Sequence, residues 1–429
     1  MKPKKGISRP IPVMALPRDS HVALAGSNVI PARFTFLCAL ALFLVIPSCF
    51  TLRAAKAATQ DSPVAAASVP IQVRQWFKPE RGWLYVLDPV DPTSESPGHI
   101  WLLDPSTARV MGVINTGADP DFALSSDGAR LYVAAKGKDR FSTVAIIDTI
   151  GGTILKTITV ENRVVRTGLP TYSGLGVSAD GLVLRILTSS YAGAKGNFVL
   201  ETMDTATGDL WSQEIDLGDC GFGRFIDHPT EFRFDYMCRI NNRIRRVQID
   251  PATHQPDHNT IDLPWMRRLG IAQAFLTPDN ENIAIIRGDG AAFLMNVATE
   301  EFSPTRMHAS IQDAILPAQW PISTDDRIYL GENLFPNRQF YMNFDRSAVY
   351  QRTQPAYDFR VINIKTWRQI GKFKGKWAPY WTAALSPDGK LLYALSPQNS
   401  GLVIFDTDSL RMKSVISVGS TPSMALVAP

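Results

Sequence analysis

Short apolar runs alternate with polar turns along almost the whole chain, a pattern of half-buried or fully buried strands rather than of helices. Two units recur. The first is an apolar strand, an Asp or Asn, a turn-like step and a second strand, as in HIWLLDPSTARVMGVINTG (99–117) and TVAIIDTIGGTILKTITV (143–160), with further copies at 198–218, 244–263, 292–307, 359–375 and 402–419. The second is a strand entry, a polar turn centred on Asp-Gly or an equivalent, and an alternating strand. It reads LSSDGARLYVAA at 124–135 and LSPDGKLLYALS at 385–396, with copies at 177–189, 227–238, 276–288, 322–332 and, ahead of the first unit, 77–88. Asp-Gly and Asn-rich steps tolerate positive φ and mark hairpins. Each pair of units therefore supplies about four antiparallel strands, and a repeat of roughly 40 to 45 residues is that of a propeller blade.

The pattern predicts an all-β, seven-bladed β-propeller of four-stranded antiparallel blades spanning 58–429. The unit at 402–429 lacks its second half and the N-terminal strands lack their first. Strands from about 70–91 and 401–429 are therefore expected to complete one closing blade, hiding the edges that an open array would expose. Six or eight blades are the alternatives, because 308–358 is irregular. Within it, 333–358 (NLFPNRQFYMNFDRSAVYQRTQPAYD) is long and rich in aromatic and basic residues. Loops of that length in a compact fold are often functional, and a surface insertion is the other reading.

Charge changes the picture at the N terminus. Residues 1–57 carry eight Lys/Arg against the single acid Asp19, so subtracting their +7 from the formal +4 leaves −3 for the remainder. A near-neutral body gives no electrostatic reason to expect nucleic acid as the partner. The basic stretch leads into FTFLCALALFLVIP (34–47) and then Ala55-Lys56-Ala57, a small-x-small cleavage pattern before Ala58. Residues 1–57 thus read as a signal peptide with a basic leader, and the apolar run falls short of the roughly 20 residues that span a membrane. A periplasmic, exported chain with no stable membrane span after cleavage is expected, with lipid attachment at Cys49 as the minor alternative. Cleavage also removes Cys38 and Cys49, leaving Cys220 and Cys238. Two cysteines in an oxidising compartment suggest one disulfide, with two buried thiols as the alternative.

Local catalytic patterns are scarce. The mature part has five histidines, His99, His228, His254, His258 and His308, and the close pair His254 and His258 sits in a proline-containing stretch read as a surface loop. GLGVSA (174–179) fits a dinucleotide glycine pattern by letter, but it leads into a hairpin where that motif requires a helix. Asp104, Asp148, Asp204, Asp250 and Asp406 occupy the same repeat turn and read as turn caps. Trp83, Trp101 and Trp211 fall in repeat strands and are expected to pack between blades. Trp265, Trp320, Trp377 and Trp381 fall in loops or at strand entries, as candidate partner surface. No catalytic, cofactor-binding or metal-ligating residue is assigned in this chain.

After the leader, the chain resembles the heavy subunit of methylamine and aromatic amine dehydrogenases. The resemblance is carried by RVINIKTWRQIGKF through LSPDGKLLYALSPQNSGLVIFDTDSLRMKSVISVG, by LGDCGFGRFIDHPTEFRFDYMCRINNRI with Cys220 and Cys238, by GLPTYSGLGVSADG and by DDRIYL. It implies a Cys220–Cys238 disulfide and a periplasmic heterotetramer of two heavy and two light chains. The light subunit of that family carries tryptophan tryptophylquinone, and the complex oxidises primary amines to aldehyde and ammonia. A small copper protein or a cytochrome takes the electrons, while the heavy chain shapes the approach to the light-chain site and offers docking surface. Where the family has an aromatic channel residue, this chain reads DPVDPTSESPG (88–98), with Pro92 or Thr93 as the nearest counterpart. The segment AILPAQWPISTDDRIYL is also shorter than its family equivalent. The second hypothesis is a stand-alone periplasmic propeller that binds a ligand or protein. The third is a propeller enzyme with its own metal or quinone site.

Overall fold

The computed structural model describes residues 71–89, 97–137, 141–164, 174–178, 181–189, 198–215, 223–227, 233–238, 243–249, 256–263, 271–287, 289–307, 326–331, 358–374, 380, 382–396 and 400–429. The chain divides into 1–62 and 63–429, and every described residue belongs to the second unit. The leader, the cleavage pattern before Ala58 and Cys49 lie outside the described residues. Every regular element described is a strand, and no described helix is long and apolar enough to cross a membrane.

The strands form antiparallel propeller blades. The first blade contains β1 (Gln72–Trp76), β2 (Leu84–Asp88), β3 (Gly98–Asp104) and β4 (Arg109–Gly117). The next contains β5 (Asp121–Leu124), β6 (Arg130–Lys136), β7 (Ser142–Asp148) and β8 (Thr153–Val160). Then follow β9 (Arg163–Val164), β10 (Leu175–Val177), β11 (Val183–Ser189), β12 (Phe198–Asp204) and β13 (Leu210–Ile215). The fourth sheet holds β14 (Gly223–Asp227), β15 (Arg233–Cys238), β16 (Arg243–Ile249) and β17 (Pro256–Asp262); the fifth holds β18 (Ile271–Leu276), β19 (Asn282–Arg287), β20 (Ala292–Asn296) and β21 (Phe302–Pro304). β22 (Arg327–Gly331), β23 (Asp358–Asn363) and β24 (Arg368–Lys374) pair together. The last sheet holds β25 (Thr382–Leu385), β26 (Leu391–Ser396), β27 (Gly401–Asp406) and β28 (Arg411–Ser417), and β29 (Met424–Val427) returns to the first sheet.

Two expectations are corrected here. A ring of seven four-stranded blades does not hold: six sheets are complete blades of four or five strands, and β22–β24 forms a sheet of only three among the described residues. That sheet borders the irregular stretch on which the repeat count was weakest. The two chain ends share one blade, with a smaller C-terminal part than 401–429. β27 and β28 do not join the N-terminal strands; they complete the sheet begun by β25 and β26, and only β29 crosses to pair with β2. The physical reason is loop closure: β26 and β27 are separated by the short 397–400 connection, so their local hairpin forms at low entropic cost.

Inner strands are apolar on both sides because each blade is covered by a neighbour on each face. Ile100, Leu102 and Ile114 of the first blade pack with Phe122, Leu131, Val133, Ala145 and Ile147 of the next. Leu84, Val86 and Leu103 turn the other way, onto Tyr393, Leu395, Leu402 and Ile404. All of β2 is buried, whereas Arg411–Val415 of the outermost β28 is exposed.

Asp and Asn positions recurring in the sequence hold the turns. Asp204 Oδ1 accepts the Ala206 and Thr207 amides at 2.7 and 2.8 Å, and Asn296 Oδ1 accepts those of Ala298 and Thr299, both at 2.9 Å. Asp104, Asp148, Asn363 and Asp406 do the same at their turns, so the turn-cap reading holds for every described member. Asp250 lies outside the described residues. The Asp-Gly turns have a second device. Ser125, Thr277 and Ser386 each donate a hydroxyl to the Asp two residues on, at 2.6, 2.5 and 2.6 Å, which holds Asp127, Asp279 and Asp388 below the usual carboxylate pKa. A threonine after the strand-end Asp then joins the two turn types: Thr149, Thr205 and Thr407 donate to the carbonyls of Gly128, Gly181 and Gly389 at 2.6, 2.8 and 2.8 Å.

Neighbouring blades cap one another at the residue following the repeat Asp or Asn. Trp76 Nε1 donates to the Thr149 carbonyl at 2.8 Å, Arg130 to that of Thr205, and Arg246 to that of Val297 at 3.0 Å. The ring is closed by Asp88. Its carboxylate, 2% exposed, accepts the Ser420 amide at 2.7 Å, the Thr421 amide at 3.0 Å and the Thr421 hydroxyl at 3.1 Å.

Candidate functional site

Strands of a blade alternate in direction, so the topology sorts the connections onto two faces. One face carries short turns such as 105–108, 125–129, 149–152, 205–209, 277–281, 297–301, 364–367, 386–390 and 407–410, the turns held by the caps above. The other carries the connections from the second to the third strand of a blade and from each blade to the next. It includes long ones at 89–97, 165–174, 190–197, 216–222, 263–270, 332–357 and 375–381, whereas 305–326 leaves β21 on this face and enters β22 on the other. A rigid scaffold with long connections on one side is the usual arrangement for presenting a functional surface.

The partner-surface candidates follow this division. Pro92 and Thr93 fall in the connection that leaves Asp88 and enters Gly98. Trp265 falls between β17 and β18, and Trp377 and Trp381 between β24 and β25, all of them connections whose ends lie on the long-connection face. Trp320 falls between β21 and β22. These six residues themselves lie outside the described residues, as does Cys220. Cys238 is the last residue of β15, opposite Gly223. The proposed disulfide therefore lies outside what is described.

Other expectations resolve directly. Trp83 is buried and Trp101 packs against a core formed with the neighbouring blade, while Trp211 sits partly buried in the outermost β13. GLGVSA becomes β10 and the turn into β11, where the Val183 amide donates to Ser178 Oγ at 2.9 Å, so the hairpin reading holds. One reading is corrected: His258 lies within β17 opposite Val247, not in a loop, because Pro256 can open an outermost strand without costing a ladder bond. His254, His228 and His308 lie outside the described residues. His99 places Nδ1 3.1 Å from Asn115 Oδ1 and tilts against Trp101 at 5.4 Å.

Four buried acids were missed from the sequence. Besides Asp88, Asp121 starts the innermost β5 and reaches the next blade, accepting the Phe122 amide at 2.9 Å and the Gly174 amide at 3.0 Å. Asp235 accepts Arg246 Nε at 2.9 Å, and that guanidinium also holds Glu300 at 2.8 Å. Glu201 accepts the Ser212 hydroxyl across β12 and β13. The available signal was an acid inside a buried strand. All four are engaged in joining strands or blades, and among the described residues no group of three or more His, Cys, Asp or Glu could hold a metal ion. On the long-connection face, Asp119, Ala135, Lys136, Ser142 and Val164 line a shallow crevice.

Glu201 makes stability depend on pH. Burial pushes its pKa up, against a lowering contribution from the Ser212 hydroxyl. The native state then binds a proton more tightly than the unfolded one, so stability falls as pH rises from the ordinary carboxylate range through the raised folded value. Glu201→Gln is expected to flatten this decline. Melting curves from pH 4 to 8 should superimpose near pH 4 and diverge above it, the variant being the more stable at neutral pH. Parallel pH profiles would contradict the assignment.

No protein-family model matches the chain, and no curated protein matches it by sequence. Solved structures do match in fold. The periplasmic gluconolactonase PpgL of Pseudomonas aeruginosa aligns with a TM-score of 0.57 at 12% identity, over 81% of this chain and 99% of that one. A functionally unknown protein from Desulfotomaculum acetoxidans aligns with a TM-score of 0.55 at 12% identity, over 81% and 99%. Kuenenia stuttgartiensis hydrazine synthase aligns with a TM-score of 0.51 at 14% identity, over 70% and 87%. At these identities the likeness shows the β-propeller fold alone.

Proposed function

We propose that this chain is a non-catalytic, exported propeller that presents its long-connection face to a protein partner, as the heavy subunit of a periplasmic amine dehydrogenase. The observation that carries the reading is the bias of the ring: the described buried acids hold strands and blades together, and most of the long connections leave one face. The finer assignment rests on the resemblance around Cys220 and Cys238 and across 359–419. In this reading tryptophan tryptophylquinone belongs to a light subunit, two heavy and two light chains assemble, and a copper protein or cytochrome accepts the electrons. Obligate interfaces of that kind bury about 2,000 Å² or more with an apolar core, which suits connections rich in tryptophan.

Purification of the tagged chain from its native cells tests this. A small cysteine-rich subunit at equal stoichiometry, with quinone absorbance confined to that subunit, is the expected result. A chain recovered alone rejects the heavy-subunit assignment and leaves the stand-alone propeller. Metal or quinone in the isolated chain rejects both.

A further inference from the structure

Strand β1 is a fifth strand laid on the outer edge of β4, which the propeller itself does not require. It runs Gln72–Trp76 with Gln72, Arg74 and Gln75 exposed. Strict alternation would put Trp76 on the side of Gln72 and Arg74. A bulge at Gln75, whose φ is 46°, breaks the register between Arg74 and Trp76 and turns the indole to the side of Val73, against the core between the first two blades. Bulges commonly re-aim a side chain in this way.

The indole enters a cradle made for it. Its Nε1 donates to the Thr149 carbonyl at 2.8 Å and its ring stacks on Tyr85 at 6.2 Å. Gly112 and Gly152 form the walls: a Cβ on Gly112 would lie 2.7 Å from the indole ring, and one on Gly152 would collide with it. β1 is thus held by edge hydrogen bonds along β4 and by one pocketed aromatic side chain. Strand addition works the same way, with main-chain bonds supplying affinity and side-chain pockets specificity.

We infer that the β4 edge and the Gly112/Gly152 cradle form a peptide-binding site for an extended segment bearing a tryptophan, occupied in this chain by its own Gln72–Trp76. Residues 77–83 tether that segment beside its site, so an outside strand binds only when the tethered one is weakened.

The full chain carrying Trp76→Ala, titrated with a fluorescein-labelled peptide of residues 70–78 (PIQVRQWFK), tests this by anisotropy. Saturable binding at least tenfold tighter than to the unsubstituted chain is expected. It should be lost when the peptide itself carries Trp76→Ala or when Gly152→Val is added to the protein. A folded Trp76→Ala chain that takes up no peptide overturns the site, as does equal uptake of the two peptides. Should Trp76→Ala fail to fold, a specific protease site inserted between Lys78 and Arg81 of the unsubstituted chain replaces it. Exchange of the released fragment for labelled peptide supports the site, and a fragment that cannot be exchanged short of global unfolding overturns it.

Discussion

Asp88→Ala is expected to loosen the ring at its seam and to lower stability by about 3 kcal/mol or more, because a buried carboxylate that accepts two amides and a hydroxyl is removed and its donors are left without an acceptor. The loss should be local in origin and global in effect. β29 is only four residues long and is the one strand that joins the C-terminal end of the chain to the first blade. Hydrogen exchange is the suitable readout: amides of Met424–Val427 and of β2 should lose protection before those of β6 and β7. Gly419→Ala should reproduce the effect by a different route. Gly419 has a φ of 60°, where an L side chain is strained, and its added Cβ would collide with Asp88 Oδ2. Uniform loss of protection in every blade, or an Asp88→Ala protein as stable as its parent, would show that the seam is held elsewhere.

Asp235→Ala is expected to cost about 2–3 kcal/mol, since the buried Arg246 guanidinium loses its fully buried partner and keeps only the part-exposed Glu300 carboxylate and the Val297 carbonyl. The double variant Asp235→Leu/Arg246→Met should recover part of this, because removing both charges also removes their desolvation penalty. A residual deficit of roughly 1–2 kcal/mol is expected, as the Val297 carbonyl loses its donor. Chemical denaturation of the two single variants and the double closes the cycle. Additive losses would mean that the pair does not act as a unit.

What could be read from the sequence was the part of the fold held by short-range contacts. Asp204 caps amides two and three residues ahead, and Ser125 bonds the Asp two residues on, so both turn types leave a local signature that repeats. Which C-terminal strand closes the ring was not legible, because the contact that marks it, Asp88 with Ser420, spans 332 residues. Asp88 itself looked like the first residue of the DPVDP loop. Glu201 and Asp235 were overlooked for a related reason: within FVLETMD and RFDYMC an acid resembles an exposed position of an alternating strand, and only packing between blades buries it. Trp76 could not be placed because the bulge at Gln75 reverses the side it faces. The division of the ring into a capped face and a long-connection face follows from strand order, which the repeat pattern already contained.

Hydrogen exchange on the chain with and without its native partner tests the central claim most directly. The account predicts new protection at strand ends of the long-connection face, around Asp88, Gly98, Lys136 and Thr382, with the capped turns at 125–129, 205–209 and 386–390 unchanged. Protection confined to those capped turns, or no partner-dependent protection anywhere in the ring, would contradict it.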